Sequence, residues 1–163
     1  MNERSVWLFQ PFGPLWRYCL LAAPIALVPS ILLSLAAAGV GHLAHVDLQR
    51  HVPPDVSITT FEFIGLVGFA PVAETLLLAG LINLLSSTRL SSLPIASISA
   101  LAWGCAHATF GALWFLGTVL AFFVYSCAYI AWRKVSSRSA FAAAAVPHAL
   151  INFGVFVVSA AVA

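Results

Sequence analysis

Five long apolar stretches hold only two charged residues between them, Glu62 and Glu74, and this pattern restricts the possible folds more than any other feature of the chain. The stretches cover about residues 18–41, 61–86, 91–110, 112–132 and 140–162. Crossing the hydrocarbon core of a bilayer as an α-helix takes roughly 20 apolar residues, so each stretch is long enough to be read as a span. The third is the most interrupted, by Ser91, Ser92, Ser97, Ser99 and His107. Hydrophobic residues fill 62% of the 163 positions and charged ones only 7%, against about 25% charged in a soluble domain. A helix that is apolar all round belongs in a core or in lipid, and a chain this short has no core large enough for five of them. The expected architecture is all-α: a polytopic membrane helix bundle of about five transmembrane helices, forming one domain over residues 1–163.

The first stretch follows Arg4 and Arg17 and ends near Ala36, Ala37 and Ala38, like a secretory signal. Its apolar run exceeds the usual ~7–15 residues of such a signal, so it reads as a retained helix. Trp7, Phe9, Phe12 and Trp16 ahead of it read as anchors at the membrane interface. An alternating path of five helices places Arg4, Arg17, Arg89, Arg133, Lys134 and Arg138 on one side and Arg50 alone on the other. Basic residues mark the cytoplasmic face. The expected protein is therefore an integral multi-pass protein of the cell membrane, with a cytoplasmic N-terminus and an outside C-terminus. The lipid bilayer is its first partner. A net charge of +2, scattered over the loops, leaves no footprint for nucleic acid.

Cys19, Cys105 and Cys127 are odd in number and lack C-x-x-C spacing, so they read as small buried hydrophobes rather than a disulfide or zinc framework. The longest loop, about 42–60, carries His42, His45, Asp47, Arg50, His51, Asp55 and the pair Pro53-Pro54. His42 and His45 at i and i+3 are able to share a metal if the helix continues through them. A polar loop at headgroup level is the simpler reading. Gly65, Gly68, Gly80 and Gly104 are expected at close helix contacts.

Ionisable side chains in the middle of a span are costly and mark functional sites by default. Glu74, His107 and His148 lie within the second, third and fifth stretches, and Asn152 shares a face with His148 one turn away. At ~1.5 Å per residue, Glu74 and Asn152 fall ~18 Å, His107 ~24 Å and His148 ~12 Å from the cytoplasmic side. All four lie inside a ~30 Å core. Packing glue across helices is the plain explanation for any one of them. Together, a carboxylate, two imidazoles and an amide form a hydrolytic set: a base for water and donors for an oxyanion. Pro71 and Pro147 each remove a helix hydrogen bond beside these residues, and irregular backbone is tolerated at membrane depth where it lines a wet cavity.

The contexts of these residues resemble a known family. Ala70-Pro71-Val72-Ala73-Glu74-Thr75-Leu76-Leu77-Leu78-Ala79-Gly80 is similar to its first motif, approximately A-P-x-x-E-E-x-x-x-R-G. Trp103-Gly104-Cys105-Ala106-His107 is similar to the second, an aromatic four residues before a His, and His148-Ala149-Leu150-Ile151-Asn152 to the third, H-x-x-x-N. In this order, over about residues 61–155, they resemble the CAAX protease and bacteriocin-processing (CPBP, Abi) family of intramembrane glutamic-type endopeptidases. The resemblance implies that Glu74 and His107 activate the attacking water while His148 and Asn152 stabilise the oxyanion. It implies catalysis without a cofactor, with a divalent metal such as zinc on Glu74, His107 and His148 as the alternative. The substrate would be a membrane protein or peptide, cut near a C-terminal tail, in the inner membrane of a bacterium. Thr75 and Ala79 depart from the motif, standing where the second glutamate and the arginine usually are. An inactive scaffold or immunity-type protein is the second reading, and a small transporter or proton relay the third. A Cys105–His107 dyad is disfavoured, because residues two apart on a helix do not face each other.

Overall fold

The structure is a computed structural model that describes residues 7–48, 51 and 55–162. Among these, a short 3-10 turn at Trp7–Phe9 is followed by five helices: α1 (Leu15–Leu43), α2 (Thr60–Ser86), α3 (Ser92–Ala108), α4 (Ala112–Trp132) and α5 (Ser137–Val162). The apolar stretches therefore become helices to within a few residues. α1, α2, α4 and α5 are long and apolar enough to cross a membrane. α3, with 17 residues, is ~25 Å long and falls short of that length. The chain is thus an all-α bundle suited to a polytopic membrane protein, with four helices of spanning length among the described residues.

Polar side chains set several helix ends. Thr59 accepts a hydrogen bond from the Glu62 N–H at the start of α2, and Ser136 does the same for the Ser139 N–H ahead of α5. Both are N-cap bonds that satisfy a donor the helix itself leaves free. α1 stops where His45 turns into the left-handed region (φ 55°), with Val46 N–H donating to the Gly41 carbonyl and His45 N–H to His42. This is a Schellman-type end. It breaks the helical i, i+3 relation on which a shared metal at His42 and His45 depended, and both side chains are exposed.

α4 is the central helix. It packs against α1, α3 and α5, while α2 leans mainly on α5 and makes a smaller contact with α3. Lipid supplies no hydrophobic drive between helices, so close backbone approach must hold them together. Small residues permit it: Ala22 and Ala26 on α1, Cys127, Ala128 and Ala131 on α4, and Ala140, Ala143 and Ala144 on α5 are all buried. Across α3 and α4, the buried Ser126 hydroxyl donates to Ser99 at 3.0 Å. Outward faces carry Leu32, Leu77 and Val158, all exposed, as lipid contact requires.

The ends of the bundle differ in charge. Lys134 donates to the Phe9 carbonyl, and Arg133 donates to Asn83 and Ser86, tying the N-terminal segment to the ends of α2 and α4. Arg17, Arg89 and Arg138 lie by the same end; Arg4 and Arg50 fall outside the described residues. Phe9 is not an outward anchor: it is 4% exposed and joins the core, whereas Phe12 and Trp16 are exposed. Cys105 also departs from expectation. It is exposed, while Cys19 and Cys127 are buried.

Of the glycines expected at close contacts, Gly104 is one. A Cβ there would sit 2.9 Å from the Phe115 ring and 3.2 Å from Val119. Gly65, Gly68 and Gly80 have nothing within 4 Å of that position; Gly68 and Gly80 are exposed on the outside of α2. Gly104→Val should therefore lower stability by about 1–3 kcal/mol through overpacking, whereas Gly80→Ala should cost nothing. Thermal unfolding of both variants in detergent checks this contrast.

Candidate active site

The four predicted residues converge on one cavity of about 700 Å³ to which all five helices contribute. With the helix ends now placed, their spread in depth from the basic end narrows to ~6 Å, about one helical turn. His148 moves inward because α5 begins at Ser137 rather than near residue 140.

Glu74 is the meeting point. Its Oε2 is 3.7 Å from His148 Nε2 and 4.0 Å from His107 Nε2. Both distances are too long for a direct hydrogen bond, and the buried Oε2 has no hydrogen-bond partner among the described residues. His107 is held by its own helix: Nδ1 lies 2.9 Å from the Trp103 carbonyl one turn back. A carbonyl only accepts, so Nδ1 carries the hydrogen, and neutral His107 turns the Nε2 lone pair toward Glu74. The motif spacing from Trp103 to His107 is what makes this bond possible.

Asn152 lines the same cavity, but its Nδ2–H donates to the Leu66 carbonyl on α2 at 2.8 Å. The residues from Ile64 to Phe69 form a π-helical segment in which Ala70 N–H reaches back five residues to Gly65. Pro71 follows, and with no N–H it makes no such bond.

Rings that sequence reasoning did not single out form the rest of the wall. Phe122 lies between the imidazoles, 5.4 Å from each ring centre, and stacks on Trp103 at 4.8 Å. Tyr125 stacks on His148 at 5.0 Å, and Trp114 meets the His107 ring edge-on at 5.1 Å. Trp114, Thr118, Phe122 and Tyr125 recur at helical spacing along one face of α4, a signal visible in the sequence but indistinguishable there from lipid-facing aromatics.

The cavity reaches the surface of the bundle. α1 and α2 barely meet, and the lining residues Ile31, Leu35 and Val155 are 45%, 63% and 43% exposed. The rim is apolar and the floor is polar. Thr75 and Ala79 do not line it. Thr75 is 2% exposed and Ala79 packs on the core.

As for a metal, among the described residues no group of three His, Cys, Asp or Glu is arranged to hold one, either at Glu74 or near His42. No family model, curated protein or solved structure matches the chain.

A side chain kept only as packing glue stabilises the fold, and an unpartnered buried carboxylate does not. Glu74→Leu should leave the melting temperature unchanged or raise stability by about 1–2 kcal/mol. A fall of several degrees on thermal unfolding would mean that the carboxylate is structural.

Proposed function

We propose that the chain is an intramembrane endopeptidase that hydrolyses a peptide bond of a membrane-presented protein, with Glu74 and His107 activating the attacking water. The observation that carries this reading is the unpartnered Glu74 Oε2 facing two imidazole nitrogens at 3.7 and 4.0 Å inside a cavity at mid-helix depth. The ordered resemblance of the three motifs to the CPBP family supports the same reaction.

The chemistry follows from donor and acceptor directions. Glu74 Oε2 and His107 Nε2 stand 4.0 Å apart. One water oxygen within ordinary hydrogen-bond distance of both closes that triangle. Such a water donates one hydrogen to the Glu74 carboxylate and the other to His107 Nε2, which leaves its lone pairs for the scissile carbonyl carbon. As the C–O bond forms, a proton passes to Glu74 and the carbonyl oxygen becomes an oxyanion. His148, as its Nε2–H form, is the donor within reach of that oxygen. The proton then moves from Glu74 to the leaving nitrogen as the C–N bond breaks. Phe122 and Tyr125 hold the rings in place and keep bulk water from the site.

In this reading α3 crosses the membrane with the other four helices, the basic end is cytoplasmic and the C-terminus lies outside. An apolar rim between α1 and α2 suits a substrate that arrives from the bilayer. The departures at Thr75 and Ala79 leave the site intact, since neither side chain lines the cavity.

Glu74→Gln should lower processing of the substrate by at least ~10²-fold without altering expression. Comparison of protein termini in membranes from cells carrying wild-type and variant protein reads this directly. Identical sets of termini would reject the protease in favour of a scaffold that binds a membrane partner.

A further inference from the structure

We propose that Asn152 is a positioning residue: its amide supplies the hydrogen bond that Pro71 cannot make, and by holding the π-helical turn of α2 it aims Glu74. The bond itself does not depend on the proposed hydrolysis; its kinetic consequence rests on that reading.

The register of the backbone leads to this. Ala70 N–H donates to Gly65, five residues back. One residue on, the same pattern needs a donor at position 71 for the Leu66 carbonyl, and Pro71 has none. In an α-helical register Pro71 would equally fail Val67. A carbonyl left without a donor at this depth is costly. Asn152 Nδ2 lies 2.8 Å from the Leu66 oxygen, across 86 positions of sequence.

Geometry then links this bond to Glu74, which sits three residues after Pro71, on the helix that emerges from the π segment. Just ahead of the segment, Phe63 packs edge-on against Phe153 and Phe156 of α5 at 6.3 and 5.2 Å. Ring contacts limit the separation of two helices better than their rotation, whereas a hydrogen bond to one carbonyl fixes rotation. A turn of α2 about its axis swings Oε2 away from both imidazoles. His148, one turn before Asn152 on α5, is thereby locked to Glu74 by the same bond. One of the two Nδ2 hydrogens is thereby committed to the backbone, and the rotation of the amide is fixed with it.

Two measurements test this. The chain has three asparagines, Asn2, Asn83 and Asn152, so asparagine-selective ¹⁵N labelling resolves each side-chain amide. One Asn152 amide proton should exchange far more slowly than its geminal partner. Equal, fast exchange of both overturns the bond, whether or not the protein cleaves anything. The second is a double-mutant cycle. Asn152→Leu should lower kcat on the order of 10–100-fold with KM little changed. Pro71→Ala restores a backbone N–H and should recover most of that loss in the Asn152→Leu background, while changing wild type little. If Pro71→Ala recovers none of it, Asn152 acts on the oxyanion instead and the positioning role is wrong. A slowly exchanging proton in a protein with no Glu74-dependent cleavage keeps the bond and removes only the protease reading.

Discussion

A backbone carbonyl without a donor costs several kcal/mol in hydrocarbon, and much of this bundle is arranged around that demand. Helices meet it for most of the chain. Where they end, side chains substitute: the Ser86 hydroxyl donates to Ile82, and Thr88 to Leu85. His107 follows the same habit as Ser and Thr, bonding to the carbonyl one turn back, and its tautomer is fixed as a result. Pro71 creates a gap that its own helix cannot fill, and the bond from Asn152 joins two distant stretches of sequence. Backbone satisfaction and site geometry are thus the same interaction seen from two sides.

Packing decides where the cavity lies. Toward the basic end, α1, α4 and α5 meet through alanines and cysteine, with Cys19 donating to the Ala142 carbonyl across the α1–α5 interface. Small side chains allow the backbones to close there. Farther along, α4 presents Trp114, Phe122 and Tyr125, and no such small-residue seam joins α1 to α2. Large rings prop helices apart where alanines would bring them together. The bundle is therefore tight at its basic end and open beyond mid-depth, and the polar residues stand at the boundary.

Glu74 is held there at a cost. Among the described residues its Oε2 is buried without a hydrogen-bond partner, an exception it shares with Trp132 Nε1. Of the two, only Glu74 is ionisable and lines the cavity, which is why the proposed chemistry is centred on it. Thr75, which departs from the motif that the sequence resembles, has a physical reading as well. A glutamate at position 75 would enter the packed interior beside Leu78, so threonine at that position relieves a buried charge that the cavity does not use.

The helices and nearly their ends were legible in the sequence, because long apolar runs reduce secondary structure to a test of length and hydropathy; of the five spans expected, four are helices of spanning length among the described residues. Glu74, His107, His148 and Asn152 stood out because ionisable and amide groups are conspicuous where apolar ones are required, and the structure brings all four to one cavity. The shortness of α3 and the inward turn of Phe9 were not legible, because they depend on where the chain packs rather than on its local composition. The metal reading of His42 and His45 assumed a helix that continues through both, and α1 ends there at a left-handed turn. Glycines offered the same difficulty: Gly104 and Gly80 look alike in sequence, and only the neighbouring helix makes one a contact and leaves the other open. The partner of Asn152 lay furthest out of reach. Hydropathy and spacing report which groups a helix carries, whereas the donor that a given carbonyl finds is settled by the rotation and separation of helices far apart in the chain, and those are properties of the packed bundle alone.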